Sequence, residues 1–396
     1  MHRILMASVL VGMVGLAQAQ SPSGYTTTEL TLPSGTTGCV QPRVNARGDV
    51  LAECGYKKTV KRVGGIGDNP GGLLFNLFRS TTVSTTFLRP VLWKAGQRTT
   101  PQTLPDAVVP TTSADSVRVV GFNALGEVLL RHQVSSAAGV SLWRNGAWQA
   151  LNLGASGFFS GSSVVLNDQG ALAFPVLDAA GNTAVLVRER SGQELRTAPF
   201  LRSDGYTQPL SDLGFNNLGQ VAMGLLRPSS GCCPTGCVST TGCYSEPLVS
   251  QWWNGSAWRA LPMLAAGNAF LPVALNDHGL AVGHASVRDA SGATLMHVWD
   301  GATYQRLGVG SGTVTGINRA GTVVGTQNGL VTYKGVSTSG AFVWRQGTLT
   351  ALQQLVSIGS GQALLNAPGL NDAGQIAATA ADPLRTAGRL YLFTPR

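Results

Sequence analysis

The sequence is 396 residues long, with 51 glycines, 43% hydrophobic residues, 12% charged residues and a formal net charge of +9. That mixture excludes intrinsic disorder, which needs high charge and low hydrophobicity. It also excludes an ordinary single domain of ~100 to 200 residues unless the fold is one of the larger all-β architectures, which short strands and glycine turns suit.

The chain opens with Arg3, an apolar run from Ile4 to Leu16, and the small-residue segment Ala17-Gln18-Ala19. This layout predicts a secretory signal peptide over residues 1–19, since the run is shorter than the ~20 apolar residues of a membrane span and ends in a cleavage pattern. Residues 20–396 are then expected to form one exported domain, periplasmic or extracellular, with no transmembrane segment.

A first strand is expected over Thr26 to Leu32, ahead of a pattern that recurs seven times. The pattern is an apolar residue, Asn, two variable residues, Gly and an alternating apolar stretch. Its members are Asn45/Gly48, Asn123/Gly126, Asn167/Gly170, Asn216/Gly219, Asn276/Gly279, Asn318/Gly321 and Asn371/Gly374, spaced by 42 to 78 residues. Asn suits left-handed or side-chain-bonded turn geometry and Gly supplies positive φ, so each pair marks the end of a hairpin. A second signature follows most copies: a strand ending in Trp, then a turn closed by Gly, at Trp93/Gly96, Trp143/Gly146, Trp253/Gly255, Trp299/Gly301 and Trp344/Gly347. In the third copy Val187 is expected in the Trp place, with Gly192 closing a longer turn. The fixed place of these Trp residues points to packing between blades.

Cys39 and Cys54 flank the first Asn turn symmetrically and are predicted to bridge across the hairpin. An insertion follows, from Gly55 to about Arg89. It carries Lys57, Lys58, Lys61 and Arg62, a cluster able to attract an anionic surface, and a glycine-rich stretch at Gly64–Gly72 that lacks the Gly-Lys-Ser/Thr of a phosphate loop. A second insertion, from Arg227 to about Glu246, holds Cys232, Cys233, Cys237 and Cys243. In an exported chain these favour two disulfides of unassigned pairing. No metal is expected there, since the spacing lacks two separated C-x-x-C knuckles and the compartment is oxidising, nor at His278, His284 and His297 of the fifth copy, which do not converge on one point.

Repeats of 40 to 50 residues, each reading as four strands, predict a seven-bladed β-propeller. The seventh copy supplies only three strands, at Leu364 to Asn371, Gln375 to Ala380 and Arg389 to Phe393. Thr26 to Leu32 is therefore expected to close the ring as the missing fourth, which leaves no sheet edge open between the first and last blades.

Met296-His297-Val298-Trp299-Asp300-Gly301 and Gly340-Ala341-Phe342-Val343-Trp344, each after an Asn-x-x-Gly strand pair, resemble the HAF-repeat family of extracellular bacterial proteins. The resemblance covers most of residues 20–396, with Gly340-Ala341-Phe342 standing where the family has its His-Ala-Phe triplet. It implies a secreted propeller-like protein and carries over no catalytic residues.

No nucleophile-elbow motif is present. Asp168, Asp277 and Asp372 each follow a repeat Asn and are expected to share a geometric role in the turn, which leaves Asp115 and Asp212 as the acids expected near the channel mouth. The two insertions fall between second and third strands, on the face opposite the Asn turns. Long loops on a rigid scaffold concentrate function, so that face is the expected binding surface. These features favour a non-enzymatic module that binds a protein or polysaccharide, with no cofactor and no specific nucleic-acid signal, working as a monomer. The alternative is a carbohydrate-active hydrolase or lyase with its site at the mouth of the central channel.

Overall fold

The structure, a computed structural model, describes residues 24–63, 80–108, 116–134, 137–153, 164–177, 183–198, 208–209, 213–226, 249–265, 268–286, 289, 292–382 and 388–396. The signal-peptide segment, the glycine-rich stretch 64–72, the four cysteines of the second insertion, Asp115 and Asp212 lie outside them.

The chain is a seven-bladed β-propeller of four-stranded antiparallel blades. Blade one comprises Thr36–Val44, Val50–Val63, Ser80–Trp93 and Gln102–Thr103, and blade two Ser116–Phe122, Val128–Val134, Ala137–Arg144 and Ala147–Ala150. Blade three comprises Val165–Leu166, Leu172–Leu177, Thr183–Arg188 and Glu194–Arg196. In blade four the innermost position is shared by Gln208–Pro209 and Gly214–Phe215, both paired with Val221–Leu226, before Val249–Trp253 and Trp258–Ala260. Blade five comprises Phe270–Leu275, Ala281–Ala285, Met296–Trp299 and Tyr304–Arg306, and blade six Gly312–Ile317, Val323–Tyr333, Val336–Arg345 and Thr348–Ala351. Blade seven is Ala363–Leu370, Ile376–Ala381 and Arg389–Pro395, completed by Tyr25–Leu30.

That last pairing is the expected closure: Tyr25 to Leu30 run antiparallel to Pro395 to Leu390. Successive strand residues face opposite sides of a sheet, so the odd spacing between Tyr25 and Leu30 sends them into different interfaces. Tyr25 packs with blades six and seven, beside Val343, Ala378 and Phe393, whereas Leu30 packs with blades seven and one, beside Val44, Trp93 and Leu392. Every large apolar cluster among the described residues likewise lies between blades, which holds a ring of thin sheets together through their faces.

All seven turn glycines have φ between +75° and +84°, a region that only glycine enters without strain. None of the seven Asn residues has positive φ, so the side-chain-bonded alternative is the one adopted. Each Asn Oδ1 accepts the backbone N–H four residues on, as at Asn167–Ala171 (2.8 Å) and Asn276–Leu280 (3.0 Å).

The Cys39–Cys54 disulfide forms across directly opposed residues, as their symmetry about the first turn predicts. Two expectations need correction. In blade three, Leu172 opposes Arg188, matching the Val50–Trp93 and Val221–Trp253 pairs, so Arg188 and not Val187 occupies the Trp position. Its guanidinium lies 5.4 Å from the centroid of the Phe174 ring and supplies the flat, cationic substitute for an indole. The blade-one insertion, moreover, begins and ends as strand. Val50–Val63 and Ser80–Trp93 stay in continuous register, which extends the blade as a two-stranded ribbon.

Candidate functional site

The Asn turns do more than reverse the chain. Asn123 Nδ2 donates to the carbonyl of Asn167, Asn167 to Asn216, Asn216 to Asn276, Asn276 to Asn318, Asn318 to Asn371 and Asn371 to Asn45, at 2.8–3.2 Å. These buried amides form a belt around the axis. At the remaining junction Asn45 Nδ2 turns to Asp49, and Glu53 bridges blades one and two instead, accepting the Val119 N–H at 2.6 Å and pairing with Arg118 at 3.0 Å.

At four of the seven blades the residue after the Asn adds a link to the preceding blade, in a partial second circle. Asp168 accepts the Ala124 N–H (2.7 Å), Asn217 that of Asp168 (2.9 Å), Asp277 that of Asn217 (2.8 Å) and Asp372 that of Arg319 (2.7 Å). Asp168, Asp277 and Asp372 therefore have the expected geometric role, but between blades and not within one turn. Together with Arg319 they also line a recess of about 210 Å³ where all seven blades meet. Burial, followed by the nearby Asp372 and Asp277 charges, pushes the Asp168 carboxyl above its usual range, against the Ala124 N–H bond that lowers it. The sequence offered a signal for these mouth acids, because the position after Asn directly ends the innermost strand.

The opposite face, which carries the long second-to-third-strand connections, holds a larger groove of about 480 Å³ beside the ring-closing seam. The start of the blade-one inner strand (Thr37, Val40) and the end of the blade-seven second strand (Thr379, Asp382) form its floor and one side. Gly55 and Leu88 at the base of the blade-one ribbon bound it, and Tyr333 reaches it from blade six. Tyr333 arrives on a second ribbon, unforeseen from the sequence. Val331 to Tyr333 pair with Thr338 to Val336 around a two-residue Lys334-Gly335 turn whose φ values are 50° and 77°. Two positive φ values match the twist of the flanking strands, a geometry more often encoded by Asn-Gly.

Of the basic cluster, Lys57 is exposed and opposes Thr86, while Lys58, Lys61 and Arg62 follow on the same strand opposite Thr85, Thr82 and Thr81. The groove carboxylate Asp382 is buried and held by Arg389 at 2.7 Å, and Arg389 also binds Glu29 at 2.7 Å.

The three histidines of blade five do not converge: His278 is exposed in the turn, His284 Nε2 accepts the Val314 N–H at 3.1 Å, and His297 opposes Gly283. Among the described residues no group of three His, Cys, Asp or Glu side chains is placed to hold a metal. Burial, then the neighbouring His297, pushes His284 down to about 4. Because the folded value lies below the ordinary one near 6.5, the neutral ring stabilises the fold fully above pH ~6.5, and this contribution is lost as pH falls through about 4. The expected loss across that window is on the order of 3 kcal/mol. His284→Gln should flatten it in urea unfolding series run between these pH values, and identical pH profiles for both proteins would count against the assignment.

No protein-family model and no curated protein matches the chain. Among solved structures it is similar to the β-propeller domain of the Trilobed protease from Pyrococcus furiosus, at 10% identity over 92% of this chain and 94% of that one, with a TM-score of 0.51. It is also similar to the acylaminoacyl peptidase from Pyrococcus horikoshii, at 10% identity over 92% of this chain and 52% of that one, TM-score 0.51, so the chain spans about half of that protein's length. At such identities the likeness shows the propeller fold alone. The Pyrococcus furiosus domain has an open velcro topology, whereas here an N-terminal strand completes the last blade. No helix among the described residues is long and apolar enough to cross a membrane.

Proposed function

We propose that the protein is an exported, non-enzymatic binding module for a protein or polysaccharide, and that its ligand lies on the long-loop face, in the groove beside the seam. The observation that carries this reading is the groove itself, bordered by two ribbons that extend beyond their blades and reached at one side by the half-buried Tyr333. Both ribbons stand on buried blade strands, so the ligand would meet a surface already in shape, which lowers the ordering cost of binding. The Cys39–Cys54 disulfide is compatible with export, and the resemblance of the Met296–Gly301 and Gly340–Trp344 segments to HAF repeats supports it.

A glycan and envelope-protein binding array on the full chain tests the reading. It is compared with a chain in which both ribbons are cut back to short turns, and with Tyr333→Ala in case the shortened chain fails to fold. Ligands retained at high salt should be lost or weakened in both variants. Undiminished binding by a folded, shortened chain would remove the groove from consideration. The rival reading, a carbohydrate-active site at the channel mouth, is favoured by the three carboxylates that meet there, and it would show as release of glycan fragments from the same array.

A further inference from the structure

Resting on the groove as the ligand seat, we infer that its occupant is an anionic polysaccharide, a chain of uronate-like sugars laid between the two ribbons. Four features of the groove converge on that chemistry.

Three hydroxyls, those of Thr37, Thr86 and Thr379, stand among small and apolar residues such as Val40, Leu365 and Ala380. Glycine at the buried position 55 leaves room for the Thr37 hydroxyl, which a Cβ there would meet. Hydroxyls set among apolar groups suit the mixed faces of a sugar. Recognition of an extended peptide instead uses separate pockets for alternate side chains or an unpaired strand edge, and Thr379 to Ala381 belong to a strand paired on both sides.

At one border stands an aromatic ring with a cation beside it: the Lys334 ammonium lies 5.4 Å from the centroid of Tyr333. A ring face stacks on the apolar face of a pyranose, and an adjoining ammonium answers a sugar carboxylate. The opposite border carries the exposed Lys57, whose strand partner Thr86 lines the groove. Asp382, the one carboxylate among the described groove residues, is buried against Arg389, a guanidinium it shares with Glu29, which limits its repulsion of an anionic chain. With a net charge of +9, the protein draws such a chain in, and the two borders give the attraction a direction.

Calorimetric titration of the full chain with polygalacturonate, dextran of equal length and poly-glutamate, at ~50 and ~200 mM salt, decides the matter. Polygalacturonate should bind and dextran should not. Lys57→Gln with Lys334→Gln should weaken binding roughly tenfold and reduce its salt dependence, because two charge contacts are removed. Tyr333→Ala should weaken it severalfold and leave the salt dependence unchanged. Lys94→Gln, an exposed lysine in a turn on the opposite face, should do neither, and melting curves confirm that each variant is folded. Poly-glutamate or dextran binding as tightly as polygalacturonate would overturn the uronate assignment while leaving the groove as a binding site. Equal weakening by Lys94→Gln would reduce the effect to overall charge and overturn the inference. Array ligands insensitive to every groove variant would overturn the proposed function as well.

Discussion

A chain lacking Tyr25–Leu30 is expected to lose cooperative folding and to self-associate. Six residues of this strand pair with Leu390–Pro395, and their removal leaves the outer edge of blade seven unpaired. Tyr25 and Leu30 are 3% and 1% exposed, so their deletion returns roughly 1.5–3 kcal/mol of apolar burial each to water, before any backbone bond is counted. Three further links go with them: Tyr25 Oη with Arg345 of blade six, Glu29 with Arg389, and the alignment of Thr31, whose carbonyl accepts the Trp93 indole N–H at 2.8 Å. The combined loss is comparable with the whole stability of a typical domain, about 5–15 kcal/mol. Urea unfolding followed by tryptophan fluorescence, with light scattering for association, measures it. Leu30→Ala is the milder form, expected to cost about 2–5 kcal/mol through the cavity left between blades seven and one. An unfolding midpoint unmoved by either change would mean that the seam does not hold the ring.

The second large effect is expected at the amide belt. Asn276→Ala removes two acceptor bonds within the turn, from the His278 and Leu280 N–H groups, and one donor bond to the Asn318 carbonyl of the next blade. Asn276 is 5% exposed, so water cannot readily replace these bonds, and buried groups left without partners cost about 1–3 kcal/mol each. A total near 3–5 kcal/mol follows if the site relaxes in part. Asn45→Ala removes as many bonds but none to blade two, and the Asp49 carboxylate that loses its amide partner is still held by Arg47 and the Ala95 N–H, so it should cost about 1 kcal/mol less. Equal losses at the two positions in chemical denaturation would show that the belt between blades contributes nothing beyond the turns.

What residues specify within a hairpin is legible in the sequence. The seven Asn-x-x-Gly turns, the opposed pair Cys39 and Cys54, and the orphan strand that completes blade seven all follow from local turn chemistry and the two-residue period of strands. Where the local signal was degenerate, so was the inference. The longer turn around Gly192 hid the register that sets Arg188 opposite Leu172, and Lys334-Gly335 concealed a hairpin because its first residue is not one that usually takes positive φ.

The acids after the repeat Asn residues show where that legibility stops. Asp168, Asp277 and Asp372 announce a turn role by their position, yet what they bind is the backbone of the preceding blade, 44 to 60 residues away. The amide belt joins residues as distant as Asn371 and Asn45, and the groove gathers side chains from blades one, six and seven. By itself, then, the sequence determined the number of blades, the way the ring closes and one disulfide, because each is encoded by residues a few positions apart or by a repeat count. Only the tertiary structure decided which acids share the channel mouth, and that Tyr333 comes to lie across the seam from Gly55 and Leu88. Those neighbours are brought together by the curvature of the closed ring, and a linear pattern carries no information about that curvature.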